Sequence, residues 1–295
     1  MVIVDVVLLV AGLGTSLAGL AWWATHSRRD PLACAPERPN RFPAEMVMLA
    51  MLAYIAVAMV VLQVVGQGGG VDEVLTSESP PMVEGQTLDT IPDVTEAERV
   101  TIGALLADTL GRTAGVVVCL ILAARWFGGG VRRFLLGTSS TIRGFVPAIV
   151  LTVVALALCD VTLRATMLLM LWVKPDLVFE QHSTIQALRE GVCPLGVAMA
   201  LRIGAGVVAP VAEEIFFRGV VQTFLLRMVR SRWLVIGLTS VVFAMAHSQI
   251  HVMPALFVLS VLLGVVYERS GSLVQPILIH AMFNGKTLLW EALSA

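Results

Sequence analysis

GVCPLGVAMALRIGAGVVAPVAEEIFFRGVVQTFLL, residues 191–226, is an apolar stretch that carries Glu213, Glu214 and Arg218 in its second half. A helix crosses about 30 Å of hydrocarbon with about 20 apolar residues, so this stretch is too long for one straight span. Pro210 is expected to break or kink it. Ionisable groups at the centre of a bilayer cost about 2.5–3.5 kcal/mol each on insertion scales, and by default they mark function. The reading of this stretch decides the rest: the chain is built from membrane-crossing helices, and the last of them carry chemistry.

Working outward, seven more segments read as spans: residues 1–24, 43–65, 102–127, 144–163, 233–247, 253–267 and 273–293. The first has Asp5 as its only charge and lacks a basic leading region, so it reads as a retained helix and not a cleaved signal. Residues 164–173 either extend the fourth span or turn at the interface. The expected fold is thus an all-α polytopic transmembrane helix bundle of about eight spans. Composition agrees: 57% of residues are hydrophobic and only 14% charged, against roughly a quarter charged in soluble domains. Mean hydropathy is +0.87. A net charge of −1 gives no reason to expect nucleic acid as a partner. Cys34, Cys119, Cys159 and Cys193 stand apart with no Cys-x-x-Cys, which argues against both disulfides and a zinc–thiolate site.

The expected organisation has two parts. Residues 1–190 supply helices together with an acidic exposed loop at 66–112, and residues 191–295 form the part that carries the polar motifs. Basic residues indicate orientation. Arg28, Arg29, Arg38, Arg41, Arg125, Arg132, Arg133, Arg143, Arg227, Arg230, Arg232 and Arg269 fall on one side of the spans. Only Arg99, Arg112, Arg164, Lys174 and Arg189 fall on the other. The richer side is expected to be cytoplasmic, with both termini outside.

Three motifs concentrate the intramembrane polar groups: Glu213-Glu214-x-x-x-Arg218, Phe243-x-x-x-His247 and His280-x-x-x-Asn284. Glu214 and Arg218 share a helix face and are expected to pair. Glu213 projects about 100° away from that face, toward something else. His280 and Asn284 share a face of the last span. Counted at about 1.5 Å per residue from the flanking arginines, Glu213, His247 and His280 lie at similar depth. A carboxylate with a histidine can position and deprotonate water, and a second histidine with an amide can hold an oxyanion. Glu213, His247 and His280 could instead bind Zn²⁺ with an open fourth position, so the cofactor question stays open between zinc and a metal-independent Glu/His mechanism. Both arrangements are hydrolytic. The plainer alternatives are an ion-pair knot for the glutamates and helix–helix glue for His280 and Asn284. Asp160 and Arg202 are isolated charges that either pair with each other or line the cavity. His251 sits four residues after His247 in a loop, and His182 lies in a polar loop.

At these residues the chain resembles the CPBP family of intramembrane proteases, which includes CAAX-processing endopeptidases and Abi-type bacteriocin-immunity proteins. The resemblance covers about residues 191–293. It implies that Glu213 with His247 activates the attacking water, that His280 and Asn284 stabilise the oxyanion, and that Glu214 and Arg218 hold the motif together. It further implies an endopeptidase acting in the lipid bilayer on a membrane protein or lipid-modified protein or peptide, in a multi-pass protein of a bacterial-type cytoplasmic membrane. The alternative of a different class is a non-enzymatic immunity or maturation factor with the same fold. A proton-coupled transporter using Glu213 and His247 as a relay is a third, but the hydropathy shows no inverted repeat.

Overall fold

The computed structural model describes residues 2–26, 32, 44–67, 96–126, 130–136, 145–179, 183–189, 195–247 and 249–294. Among them ten helical elements follow in order: α1 (Val2–His26), α2 (Ala44–Gln67), α3 (Glu96–Trp126), α4 (Gly130–Leu136), α5 (Phe145–Val173), α6 (Ser183–Arg189), α7 (Leu195–Met228), α8 (Arg232–Met245), α9 (Met253–Ser270) and α10 (Val274–Ser294). No strand occurs among the described residues. The protein is an all-α membrane bundle. α4 and α6 are short connectors, and the other eight elements coincide with the eight expected spans. Four stretches among the described residues are long and apolar enough to cross a membrane: Ala104–Arg125, Pro147–Val173, Leu195–Met228 and Met253–Ser270. Asp5–Ala18, Met48–Val60 and Arg232–Met245 are shorter apolar helices. α10 carries Gln275, His280, Asn284, Lys286 and Glu291, polar groups that it can hold because it packs inside the bundle. Apolar side chains such as Val10, Leu52, Ile121, Leu168 and Trp172 are exposed around the outside, where a soluble protein would expose an aggregation surface and a membrane protein meets lipid.

Of the two alternatives for residues 164–173, extension of the fourth span is the one observed, because α5 continues as helix to Val173. Several expectations need correction. The acidic loop at 66–112 is not a single solvated loop. Residues 102–112 belong to the third span, as its expected bounds imply, and α3 begins still earlier, at Glu96; residues 68–95 lie outside the described residues, as does His182. Pro210 does not break α7. Backbone angles remain helical at Val208 and Ala209, and the helix instead widens into two π segments, Gly204–Val208 and Ile215–Gln222, flanking the regular turn Ala209–Glu214. Asp160 and Arg202 do not pair with each other. Asp160 bonds Arg164 one turn on (2.7 Å), and Arg202 bonds Glu291 of α10 (3.2 Å).

Small residues bring the helices close enough to build the site. On α3, a side chain at Gly111 would lie 3.2 Å from the Ala58 backbone of α2, and one at Gly115 would strike the ring of Tyr54 at 2.6 Å. This Gly-x-x-x-Gly spacing seats α2 on α3 by backbone contact. Gly204 of α7 faces Thr109 of α3 in the same way, with a side chain there only 2.7 Å from the Thr109 hydroxyl. Thus α3, from the N-terminal part of the chain, lies directly against the helix that carries the paired glutamates. One apolar cluster joins Ala155 and Cys159 of α5 to Leu259 and Leu263 of α9 and Ile279 of α10. A second joins Cys119 and Ala123 of α3 to Ile215 of α7 and Tyr267 of α9. Asp5 of α1 meets Lys286 (2.9 Å) and the Trp290 indole (2.8 Å) of α10, so the lone charge of the first helix has partners on the last.

Candidate active site

The two glutamates diverge as the helical spacing implies. Glu214 is wholly buried; its Oε1 accepts from Arg218 Nη1 at 2.8 Å and from His280 Nδ1 at 2.8 Å. Arg218, also wholly buried, donates through Nη2 to the hydroxyl (2.8 Å) and carbonyl (3.1 Å) of Ser260 on α9. Because a carboxylate only accepts, Nδ1 of His280 carries the proton, and Nε2 faces Glu213 Oε2 at 3.8 Å. One imidazole on α10 therefore spans both carboxylates of α7.

Glu213, only 9% exposed, has a partner that the sequence reading missed. Its Oε1 accepts from Arg112 Nη1 of α3, and Arg112 Nε donates to Asp108 at 2.7 Å. Each glutamate has its own arginine, one from its own helix and one from a helix 101 residues earlier. The signal was present: Arg112 and Asp108 lie four apart beside an apolar run, and an arginine at that depth is a functional hypothesis by default. Both lie in the amphipathic first half of the expected third span, and counting their charges with the acidic loop hides the signal. Arg112→Gln is expected to lower the thermal midpoint by leaving Asp108 and Glu213 as facing like charges. A double-mutant cycle with Glu213→Gln should return a coupling of about 1–3 kcal/mol. Additivity within about 0.5 kcal/mol would dismiss the pair.

Phe243 ties the third motif to this cluster. It is fully buried on α8, edge-on to Phe217 at 5.0 Å and to His280 at 5.8 Å, with the Arg218 guanidinium 4.9 Å over its ring. His247 lies just past the end of α8, half-buried, with its ring 5.1 Å from that of Phe243. Its Nδ1 donates to the Phe243 carbonyl at 2.9 Å, which leaves Nε2 as the basic nitrogen. No hydrogen bond or ion pair joins His247 to Glu213 among the described residues. Asn284 donates from Nδ2 to the carbonyl of Ala205 on α7 at 2.9 Å. The arrangement therefore brings Glu213, Glu214, Arg218 and His280 into direct contact, sets His247 one aromatic ring away, and turns one Asn284 hydrogen toward backbone.

The donor set does not fit the zinc site considered from sequence. Among the described residues no three of His, Cys, Asp or Glu converge as metal ligands. Nδ1 of His280 bonds Glu214 and that of His247 a carbonyl, which leaves Nε2 on each ring as a ligand would need. What is missing is convergence, since His280 faces Glu213 while His247 is held against Phe243. His251 packs against Phe179, ring to ring at 5.2 Å, apart from the cluster.

Fold and site together define a class: a polytopic helical membrane protein with a buried site of paired carboxylates, arginines and imidazole. Residues 195–285 match the family described as Type II CAAX prenyl endopeptidase Rce1-like. That segment holds all six candidate site residues of the three motifs, and over it the resemblance to CPBP intramembrane proteases holds. The chain is also 36% identical over 78 residues to a protein of Escherichia coli described as an uncharacterized 24.3 kDa protein; the match spans 25% of this chain and 36% of that relative. No solved structure matches the chain.

Proposed function

We propose that this protein is an intramembrane endopeptidase that hydrolyses a peptide bond of a membrane-associated or lipid-modified protein, by direct attack of water. The observation that carries this reading is the buried Glu213–His280–Glu214–Arg218 cluster lying inside the Rce1-like segment. Glu213 is the general base, with His247 as its partner across Phe243. The water oxygen bonds to the scissile carbonyl carbon while its proton passes to the Glu213 carboxylate. Collapse of the tetrahedral species breaks the carbon–nitrogen bond, and the same proton goes to the leaving amine. The second amide hydrogen of Asn284 stabilises the oxyanion, and His280 joins it as the imidazolium, with Nδ1–H kept on Glu214 and Nε2–H given to the oxygen. Glu214 and Arg218 hold His280 and Glu213 in place and do not react. The step uses side chains alone.

The catalytic core on this reading lies within residues 191–295. The helices of residues 1–190 support it, and α3 lends it Arg112. The substrate class follows from the match to a CAAX prenyl endopeptidase family and from a site placed among helices that face lipid: a prenylated peptide is the first candidate, presented from the bilayer.

The test is cleavage of a farnesylated Cys-a-a-X peptide by the purified protein in liposomes, read as release of the terminal tripeptide. Release by the wild type, reduced about 10²-fold or more in His247→Ala at unchanged thermal midpoint, is the expected result. Full activity of His247→Ala would remove that residue from the mechanism. A wild type inactive on every prenylated and unprenylated membrane peptide offered, with a biological phenotype surviving Glu213→Gln, would favour a non-catalytic factor.

A further inference from the structure

Proline in the middle of a helix removes a backbone donor and crowds the preceding turn, yet α7 passes through Pro210 without a break. The turn before it is widened. The Ala209 N–H bonds the Gly204 carbonyl, five residues back. In that register the next carbonyl, that of Ala205, would take its hydrogen from residue 210, and proline has none to give. Ala209 is already committed to Gly204, and Val211 is six residues from Ala205, outside any helical register. The donor that reaches the Ala205 carbonyl is Asn284 Nδ2, at 2.9 Å from α10. One turn along α10, Leu288 closes against Gly206, where a side chain would come within 3.1 Å of Leu288 Cδ1. The second π segment is treated alike: the Thr223 hydroxyl bonds the Arg218 carbonyl at 3.0 Å, again five residues back. π segments are rare and concentrate at functional sites, and here they bracket the two glutamates.

We infer that Asn284 is a positioning residue that supplies, from α10, the hydrogen bond Pro210 cannot make, and so locks the wide turn Gly204–Val208. That turn sets the angle at which Glu213 and Glu214, three and four residues past Pro210, leave α7. The same face of α10 holds Glu214 through His280, so α10 fixes α7 at two levels. The inference concerns the folded state and does not depend on the hydrolase reading.

The test compares wild type, Asn284→Ala, Pro210→Ala and the double variant as full-length proteins in one detergent. Asn284→Ala in the native background is expected to lower the thermal midpoint by about 3–8 °C, as for loss of a buried hydrogen bond. In the Pro210→Ala background the backbone N–H regained at position 210 takes the Ala205 carbonyl, and the same Asn284 substitution should cost less than about a third as much. Equal losses in both backgrounds overturn the inference. If Asn284→Ala gives no folded protein, folded yield replaces the midpoint: recovery in the double variant supports the inference, and an equal loss refutes it. Asn284→Asp keeps the shape and lacks the donor, so it should match Asn284→Ala; wild-type stability in this variant would also overturn the inference. Peptide cleavage reports separately. Cleavage still lost in a restabilised double variant supports both the positioning role and the oxyanion role. Cleavage restored with the midpoint supports positioning and removes Asn284 from the oxyanion site.

Discussion

Glu213→Gln is expected to reduce peptide hydrolysis on the order of 10³-fold while the protein still folds. The substitution keeps the shape of the side chain and an oxygen that can accept from Arg112, so the α3–α7 contact survives. It removes the basic lone pair that would take the proton from water. Arg112 retains Asp108 at 2.7 Å, so the guanidinium is not left alone when Glu213 loses its charge. Stability should therefore change by less than about 2 kcal/mol, below the cost of a buried pair broken from one side. The measurement is kcat/KM of the purified variant beside its thermal midpoint. A variant that folds and keeps a tenth of wild-type turnover would end the assignment of Glu213 as the base.

Arg218→Ala should act on the fold and not on the chemistry. Arg218 is wholly buried and makes three hydrogen bonds, to Glu214, to the Ser260 hydroxyl and to the Ser260 carbonyl. Its guanidinium also lies over Phe243. Removing it leaves the Glu214 charge buried with His280 as its remaining partner, and breaking a buried pair from one side costs about 3–5 kcal/mol. Folded yield and thermal midpoint should fall accordingly. Arg218→Lys should recover little, because an ammonium cannot reach Glu214 and Ser260 with a planar fork. Glu214→Gln combined with Arg218→Met should recover more of the loss, since it withdraws both charges together. A midpoint for Arg218→Ala within about 1 kcal/mol of wild type would show that the pair is not structural.

Most of the bundle is legible in the sequence because lipid imposes a length rule on apolar runs, and hydropathy reads length well. The boundaries that slip do so for identifiable reasons. The apolar pattern starts α3 too late because Glu96, Glu98 and Arg99 resemble loop in composition, although the backbone is already helical there. Residues 164–173 belong to α5 because Arg164 finds Asp160 one turn back, so the charge does not force a turn. Pro210 reads as a break or a kink because the expected cost of proline assumes α-helical hydrogen bonding, and of these the break does not occur. A widened turn and a side chain from another helix change that cost, and neither is visible in a linear pattern.

The same division runs through the site. The Glu214–Arg218 pair is readable from a spacing of four, since two side chains on one helix face are neighbours wherever that helix goes. The direction of Glu213 away from them is equally a property of the helix itself. What Glu213 faces is a different kind of fact, because Arg112 lies 101 residues away and reaches it only where Gly204 lets α7 close on α3. His280 bridging two carboxylates, Phe243 standing between His247 and Arg218, and Asn284 bonded to Ala205 are likewise products of packing between helices. Periodicity along one helix is local and survives in the sequence. The meeting of helices depends on where small residues allow backbones to approach, and that is settled only when the whole bundle has closed.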